Sequence, residues 1–298
     1  MTRAARLGLG TVQWGMAYGI ANSSGPATTI EVANLLGTAK RHGITLVDTA
    51  RAYGEAEKVL GEHGAASQAF LVVTKTLPLR DARGITEQDA ASVAAAFRES
   101  LRWLKCDRVY GLLVHHGDTL LLPGGDRLWA LLQDLKTQRR VQKIGVSVYQ
   151  PVELELILER YPLDLVQLPL NLYDQRFLQQ GLLSRLRKVD IEIHARSAFL
   201  QGLLLLPPTR LPGHFRRMHN HHARLHHRVR EAGLTPLEAS LGFCLGQADV
   251  DRVIVGCECG QQLDEIIAAA GKDDVLLPGP ELYSIDDESI INPARWPK

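Results

Sequence analysis

Eight short runs of leucine and β-branched residues alternate with eight longer stretches of helical periodicity, and no other feature restricts the fold of this chain as much. The strand-like runs are 7–11, 45–49, 70–75, 109–115, 143–148, 165–169, 192–197 and 252–256. The helical stretches are 29–42, 55–63, 87–104, 126–138, 152–160, 181–189, 236–247 and 261–270. Pro151 and Pro236 suit a first helical turn, Thr28 or Thr29 can cap, and Gly43 and Gly271 sit where helices end. Strict alternation of this length is the arithmetic of a (β/α)8 TIM barrel. The rival, an open doubly wound sheet, carries fewer strands and a glycine-rich phosphate loop after the first. "LGLGTVQWG" has Gly8-x-Gly10, but the third glycine is misplaced and no helical pattern follows at once.

The expectation is therefore α/β: one (β/α)8 domain over 1–298, with long loops after strands and a C-terminal tail over the barrel mouth. A chain of 298 residues fits, because such barrels reach about 250 residues or more as one unit. The irregular segments are 15–26, 203–230 and the tail 274–298. There is no internal repeat and no low-complexity tract. A formal net charge of +1 argues against a dedicated nucleic-acid binder. No apolar run of about 18 residues exists, so no membrane span is expected. The basic start "MTRAARLGLG" has no apolar core or cleavage site behind it, so no signal peptide is read. Cys106, Cys244, Cys257 and Cys259 are too scattered for a disulfide framework, and Cys257-Glu258-Cys259 has no second pair for zinc. Reduced thiols in a cytoplasmic protein are expected.

Barrel enzymes take their chemistry from the C-terminal ends of strands. Here the second run ends in Asp48, the third in Lys75 and the fourth in His115; later runs end near Ser147, at Gln167 and Asn171, and at Arg196 and Ser197. Each alone has an ordinary explanation. A terminal aspartate caps helices, a lysine snorkels to water, and a histidine is often structural. In a barrel, however, strands two, three and four are neighbours, so Asp48, Lys75 and His115 would converge with Tyr53 from the following loop. A phenol of pKa about 10 is a poor acid at neutral pH. A nearby ammonium favours its ionised form, a carboxylate can hold that ammonium, and an imidazole can orient a carbonyl oxygen.

Asp48-Thr49-Ala50 with Tyr53-Gly54, Glu57 and Gly61, then Lys75, then His115, resembles the aldo-keto reductase signature. So do "KIGVSVY", "QLPLNLYDQR", "ARSAFLQGLL" and "VIVG" with "QQLDEI", in order along nearly the whole chain. "LGLGTVQWGMAYGIAN" is similar to a bacterial branch associated with sugar or polysaccharide metabolism. The resemblance implies an NAD(P)H-dependent oxidoreductase that reduces an aldehyde or ketone to an alcohol. Tyr53 would be the general acid, Lys75 would lower its pKa, Asp48 would pair with Lys75, and His115 would orient the carbonyl. His115 is preferred to His116 because side chains alternate along a strand.

Cofactor contacts are implied for Gly10 and Thr11, for Ser147, Gln167 and Asn171 at the carboxamide, and for Arg196, Ser197, Gly202 and Leu203. The loop after the last strand would add Gly256, Glu258, Gln262 and Glu265. Substrate contacts are implied for Trp14, Tyr18 and His116, with Phe199, Tyr283 and Trp296 as further aromatic linings. The partner implied is a small-molecule carbonyl, on a monomer or weak homo-oligomer with no nucleic acid, membrane or metal.

Three positions depart from the pattern. Val148 follows Ser147 where many relatives have asparagine. Arg196 stands where many have an aromatic residue, and its charge disfavours an oxidised, cationic nicotinamide. NADPH is the implied cofactor, yet loop 257–265 holds no basic residue and presents Glu258, which leaves NADH open. Two other readings remain: a Schiff-base lyase or aldolase acting through Lys75, and a non-catalytic nucleotide sensor. Six of the eleven histidines crowd between His214 and His227 among arginines. His222 and His226 have a chelating spacing but no accompanying carboxylate, so a solvated basic helix flanking the cofactor cleft is expected there.

Overall fold

The structure, a computed structural model, describes residues 2–20, 22, 25–65, 70–79, 83–272 and 276–297. Parts of the irregular segment 15–26 and of the tail 274–298 thus lie outside the described residues, namely 21, 23, 24, 274, 275 and 298. Eight parallel strands close into a barrel in chain order: β1 (Leu7–Gly10), β2 (Leu46–Asp48), β3 (Leu71–Lys75), β4 (Val109–Val114), β5 (Val141–Ser147), β6 (Leu165–Pro169), β7 (Glu192–Arg196) and β8 (Arg252–Gly256). β1 pairs with both β2 and β8, which completes the circle. The sequence boundaries differ by a residue or two. β4 stops at Val114 rather than 115, so His115 lies just beyond the strand.

Residue parity explains why the barrel mouth is polar. Leu46, Val73, Leu113, Leu165 and Ile254 pack together as a separate buried cluster, with the larger core lying outside the barrel wall. Alternate residues of a strand share a face. Two positions on from these five come Asp48, Lys75, His115, Gln167 and Gly256, so an apolar plug is followed by a largely polar rim. Toward the other end, Lys143 and Tyr110 donate to Glu192, whose second oxygen meets His194 Nε2 at 2.6 Å. Burial opposes the Glu192 charge, but these partners outweigh it and hold its pKa near 2. The sequence reading did not foresee this cluster, whose members are far apart in the chain.

Helix starts follow the expected chemistry. Thr28 Oγ1 accepts from Glu31 N, and Thr235 with Glu238 forms a capping box behind Pro236. The helix Thr29–Arg41 ends with Gly43 left-handed (φ +72°), Gly43 N on Lys40 O and Ile44 N on Ala39 O. Gly271 (φ −75°) stays right-handed and makes no such cap, because its N–H continues the ladder to Ile267 O.

The segment 203–230 is more ordered than expected of a loop. It contains 3-10 turns and the helix His219–Glu231. The helix is not solvated all round: His222, Leu225, His226 and Val229 face inward. His222 Nδ1 lies 2.6 Å from Tyr173 Oη and its Nε2 lies 2.8 Å from Leu206 O. Leu205 is the one residue of the segment in the lining of the cleft described below, and the helix contributes none. Tail residues 276–297 also stay off the cleft. Ile285 N donates to Tyr173 O, and Trp296 packs edge-on against Phe215.

Burial lowers the His222 pKa from 6.5 to about 4. Between those values the unfolded chain binds a proton that the folded chain refuses, so this histidine's contribution is full above pH 6.5 and is lost as pH falls toward 4. The shift corresponds to about 3 kcal/mol. Urea midpoints measured from pH 7.5 to 4 should decline across that window, and His222→Gln should flatten the decline. An equal slope in both proteins would refute the assignment.

Among the described residues no helix is long and apolar enough to cross a membrane. No group of three His, Cys, Asp or Glu among them could hold a metal ion. All four cysteines are free thiols.

Candidate active site

The deepest part of the rim is a hydrogen-bonded set from β2, β3 and β6. Lys75 Nζ lies 2.7 Å from Asp48 Oδ2 and 2.9 Å from Thr49 O. Asp48 Oδ1 accepts from Gln167 Nε2 at 2.7 Å. All three side chains are buried. Burial pushes the Lys75 pKa down, and the charge and hydrogen bond of Asp48 push back. Neighbouring Thr74 points to the opposite face, where its hydroxyl donates to Glu57 Oε1 at 2.6 Å. Glu57 therefore lies outside the site and fastens the helix Ala56–Glu62 to β3.

Tyr53 is placed by backbone contact. Gly54 is left-handed (φ +56°), and a Cβ there would stand 2.3 Å from Gly15 O; a Cβ on Gly15 would stand 1.9 Å from Tyr53 O. Only glycines allow the two loops to touch in this way. The phenol ring then lies 5.0 Å from Lys75 Nζ and meets the His115 ring edge-on, with centroids 5.9 Å apart. His115 and His116 do not point oppositely as strand alternation suggested, because both follow the strand end. Their rings stack with centroids 5.0 Å apart, and Tyr149 continues the stack.

Tyr53 is pushed far above the usual phenol range by burial first and by the Asp48 charge second. Arg196 opposes that rise. The sequence reading gave this lowering role to Lys75. In the structure Lys75 is paired with Asp48, and Arg196 is a second cation that acts against the rise. Tyr53 is a fully protonated donor at neutral pH.

Above this set opens a cleft of about 320 Å³. Gly10, Thr11, Tyr18, Asp48, Tyr53, His115, Ser147, Gln167, Arg196, Ser197, Gly202, Gly256, Glu258, Gln262 and Glu265, all sequence candidates, line it, as does Phe199. Others do not. Lys75 lies beneath the floor. Trp14 is buried with Nε1 on Cys257 O, and Asn171 uses its amide on Ser197 O, Tyr173 N and Asp174 N. Leu203, Tyr283 and Trp296 are in the packing around the barrel. His116 stands beside the cleft rather than in its lining. Gln13 and Tyr149 line the cleft and were not singled out from sequence. Tyr149 was legible as the residue two past Ser147; Gln13 carried no local signal.

The cleft suits a dinucleotide with an amide at one end. Gln167 Oε1 and Gln13 Oε1 are buried acceptors without a hydrogen-bond partner among the described residues. An unpaired buried acceptor costs about 1–3 kcal/mol, and a ligand amide would remove that cost. Along the wall after β7, Ser197, Leu200 and Gln201 are left-handed (φ 62°, 48° and 55°), and Gly202 follows at 91°. Such strain clusters where a loop must clamp a ligand. Asn171 holds this loop through Ser197 O.

A family model described as the Aldo/keto reductase family matches residues 6–275. Aldo-keto reductase YhdN of Bacillus subtilis (strain 168) is 26% identical over 207 residues, which is 67% of this chain and 60% of that relative. The match thus spans less than two thirds of the relative's length. The holo form of aldo-keto reductase AKR11C1 from Bacillus halodurans superposes with TM-score 0.72 at 19% identity, over 90% of this chain and 87% of that one. Glycerol dehydrogenase AKR11B4 from Gluconobacter oxydans superposes with TM-score 0.66 at 22% identity, over 89% and 86%. At those identities the two structures speak for the fold. The family match, joined to an Asp48–Lys75 pair set beneath Tyr53 and His115, shows that this chain belongs to the aldo/keto reductase family of oxidoreductases.

Proposed function

We propose that residues 1–298 act as one carbonyl reductase that converts a small aldehyde or ketone to its alcohol and prefers NADH. The observation that carries this reading is the position of Tyr53, a protonated phenol at the cleft floor between the Lys75–Asp48 pair and the His115 ring. When bound, a reduced nicotinamide dinucleotide supplies the hydride for the carbonyl carbon. Tyr53 Oη holds the proton that the carbonyl oxygen takes up, and His115 orients that oxygen. Asp48 keeps Lys75 charged against its burial. Asp48 also fixes Gln167 Nε2, which turns Gln167 Oε1 toward a carboxamide, with Ser147 beside it on β5.

Preference for NADH is supported by the far end of the cleft. Glu258 N donates to Gln262 Oε1 at 2.9 Å, and Gln262 Nε2 donates to Glu258 Oε2 at 2.6 Å. Glu31 Oε2 accepts from Gly260 N at 3.0 Å, so a carboxylate already caps the helix Gly260–Ala270. Glu265 lines the same end. A 2′-phosphate there would meet Glu258 and Glu265 with no cation beside them among the described lining residues, whereas a free ribose hydroxyl can donate to them. Fluorescence titration should give a Kd for NADH at least tenfold below that for NADPH. An NADPH to NADH ratio of catalytic efficiency above one would overturn the preference.

The experiment that tests the reading is a panel of aldehydes, ketones and aldoses assayed with both nucleotides. Tight nucleotide binding without turnover across the panel would replace it by the sensor reading. Lys75 does not reach the cleft lining and is held by Asp48 and Thr49, which disfavours a Schiff base. Borohydride should trap no adduct.

A further inference from the structure

We infer that Arg196 is an anchor for an anionic group on the substrate, so that the natural substrate is a carbonyl compound bearing a carboxylate. This rests on the reductase reading above and names its substrate class. Four charged side chains line the cleft among the described residues: Asp48, Arg196, Glu258 and Glu265. Three are occupied. Asp48 is paired with Lys75, Glu258 is bonded to Gln262, and Glu265 accepts from Gln261 Nε2. Among the described residues Arg196 is the one Lys or Arg of the lining, and none of the ion pairs among them includes it.

Its position makes that charge available. Arg196 ends β7, and its Nη2 reaches across the end of β6 to Val148 O, just past β5, at 2.9 Å. The guanidinium plane lies 4.1 Å from the Tyr149 ring centroid, and Nη1 makes a longer contact of 3.3 Å to Ser197 Oγ. The Val148 carbonyl is what orients the arginine. Two of the five guanidinium donors are thereby used, and the others have no protein acceptor among the described residues. The fork is aimed toward the β4–β5 side of the mouth, where His115, His116 and Tyr149 stand, and away from Glu258 and Gln262 beyond β8. Tyr18, Tyr53 and Tyr149 complete the walls around it. A half-buried guanidinium fixed by stacking and a backbone carbonyl is preorganised for a carboxylate. A neutral sugar or alkyl aldehyde would leave it unused.

Matched pairs of the same size test the inference: 4-carboxybenzaldehyde against 4-formylbenzamide, and succinic semialdehyde against its amide. Charge-assisted hydrogen bonds are worth about 10- to 100-fold. In the wild type kcat/KM should favour the acid of at least one pair by that factor. The acid-to-amide ratio should collapse to about one in Arg196→Gln and be partly kept in Arg196→Lys. A second readout needs no turnover: calorimetry on the nucleotide-free protein should show benzoate binding at least tenfold tighter than benzamide, and Arg196→Gln should abolish the difference. ADP-ribose affinity separates the main alternative. If Arg196→Gln weakens ADP-ribose or NADH tenfold or more, the arginine serves the cofactor and the inference falls. It falls equally if acid and amide are indistinguishable in both readouts. If no carbonyl is reduced at all, the reductase reading fails while the benzoate comparison still decides the anchor.

Discussion

Tyr53→Phe is expected to lower kcat for carbonyl reduction by roughly 10²- to 10⁴-fold, the range of a positioned general acid. The change removes one oxygen atom from a side chain that is otherwise held by its ring and by the Gly15–Gly54 contact. The Tyr53 hydroxyl makes no hydrogen bond to the described residues, so its loss strands no buried partner. Stability and nucleotide affinity should therefore match the wild type, and the defect should lie in kcat rather than in KM. The phenol is held protonated by burial and by Asp48, so the wild-type rate should not fall with rising pH until well above neutrality. A Tyr53→Phe protein that reduced any good substrate within threefold of the wild-type rate would remove Tyr53 from the mechanism.

Asp48→Asn should damage both activity and stability. It strips the counter-charge from an ammonium that is buried almost completely. Breaking a buried ion pair from one side costs about 3–5 kcal/mol, because the remaining charge is left desolvated. Lys75 is already pushed down by burial and would move further down. A lysine depressed in the folded state weighs on stability at pH values where the unfolded chain is protonated. The deficit should therefore be largest near neutrality and shrink as pH rises toward about 10.4. Urea unfolding across pH 7 to 10 measures it. The double variant Asp48→Asn/Lys75→Met should regain much of the stability while staying inactive, since no charge remains to bury. Recovery of activity in the double variant would show that the pair is structural only.

These two residues were readable because barrel geometry is periodic. Asp48, Lys75, His115, Gln167 and Gly256 are each two positions beyond an inward-facing apolar residue, and a run of alternating residues discloses that parity without a structure. Tyr53-Gly54 was readable for a related reason: a glycine directly after a loop tyrosine marks a close backbone approach, here to Gly15. Asn171 and Trp14 were given ligand roles because polar and aromatic residues near strand ends suggest them, but each is consumed by packing. Asn171 closes the turn before Asp174 and holds Ser197 O; Trp14 donates to Cys257 O. The histidine-rich segment looked solvated because its composition is basic. Composition does not show that the His222 and His226 face of that helix turns inward to meet Tyr173 and Leu206.

By itself the sequence determined the eightfold alternation, the apolar plug below and polar rim above, and the residue types available for proton transfer. All of these follow from periods of two and 3.6 residues, which are properties of neighbouring positions. Only the closed barrel decided how those residues are shared. Gln167 is 119 residues from Asp48 and binds the same carboxylate as Lys75. Arg196 is 48 residues from the carbonyl that holds its guanidinium over the Tyr149 ring. Such partnerships are set by which strands become neighbours when β1 meets β8, and by which acceptors a buried cation reaches first. Neither is written in any local stretch of the chain.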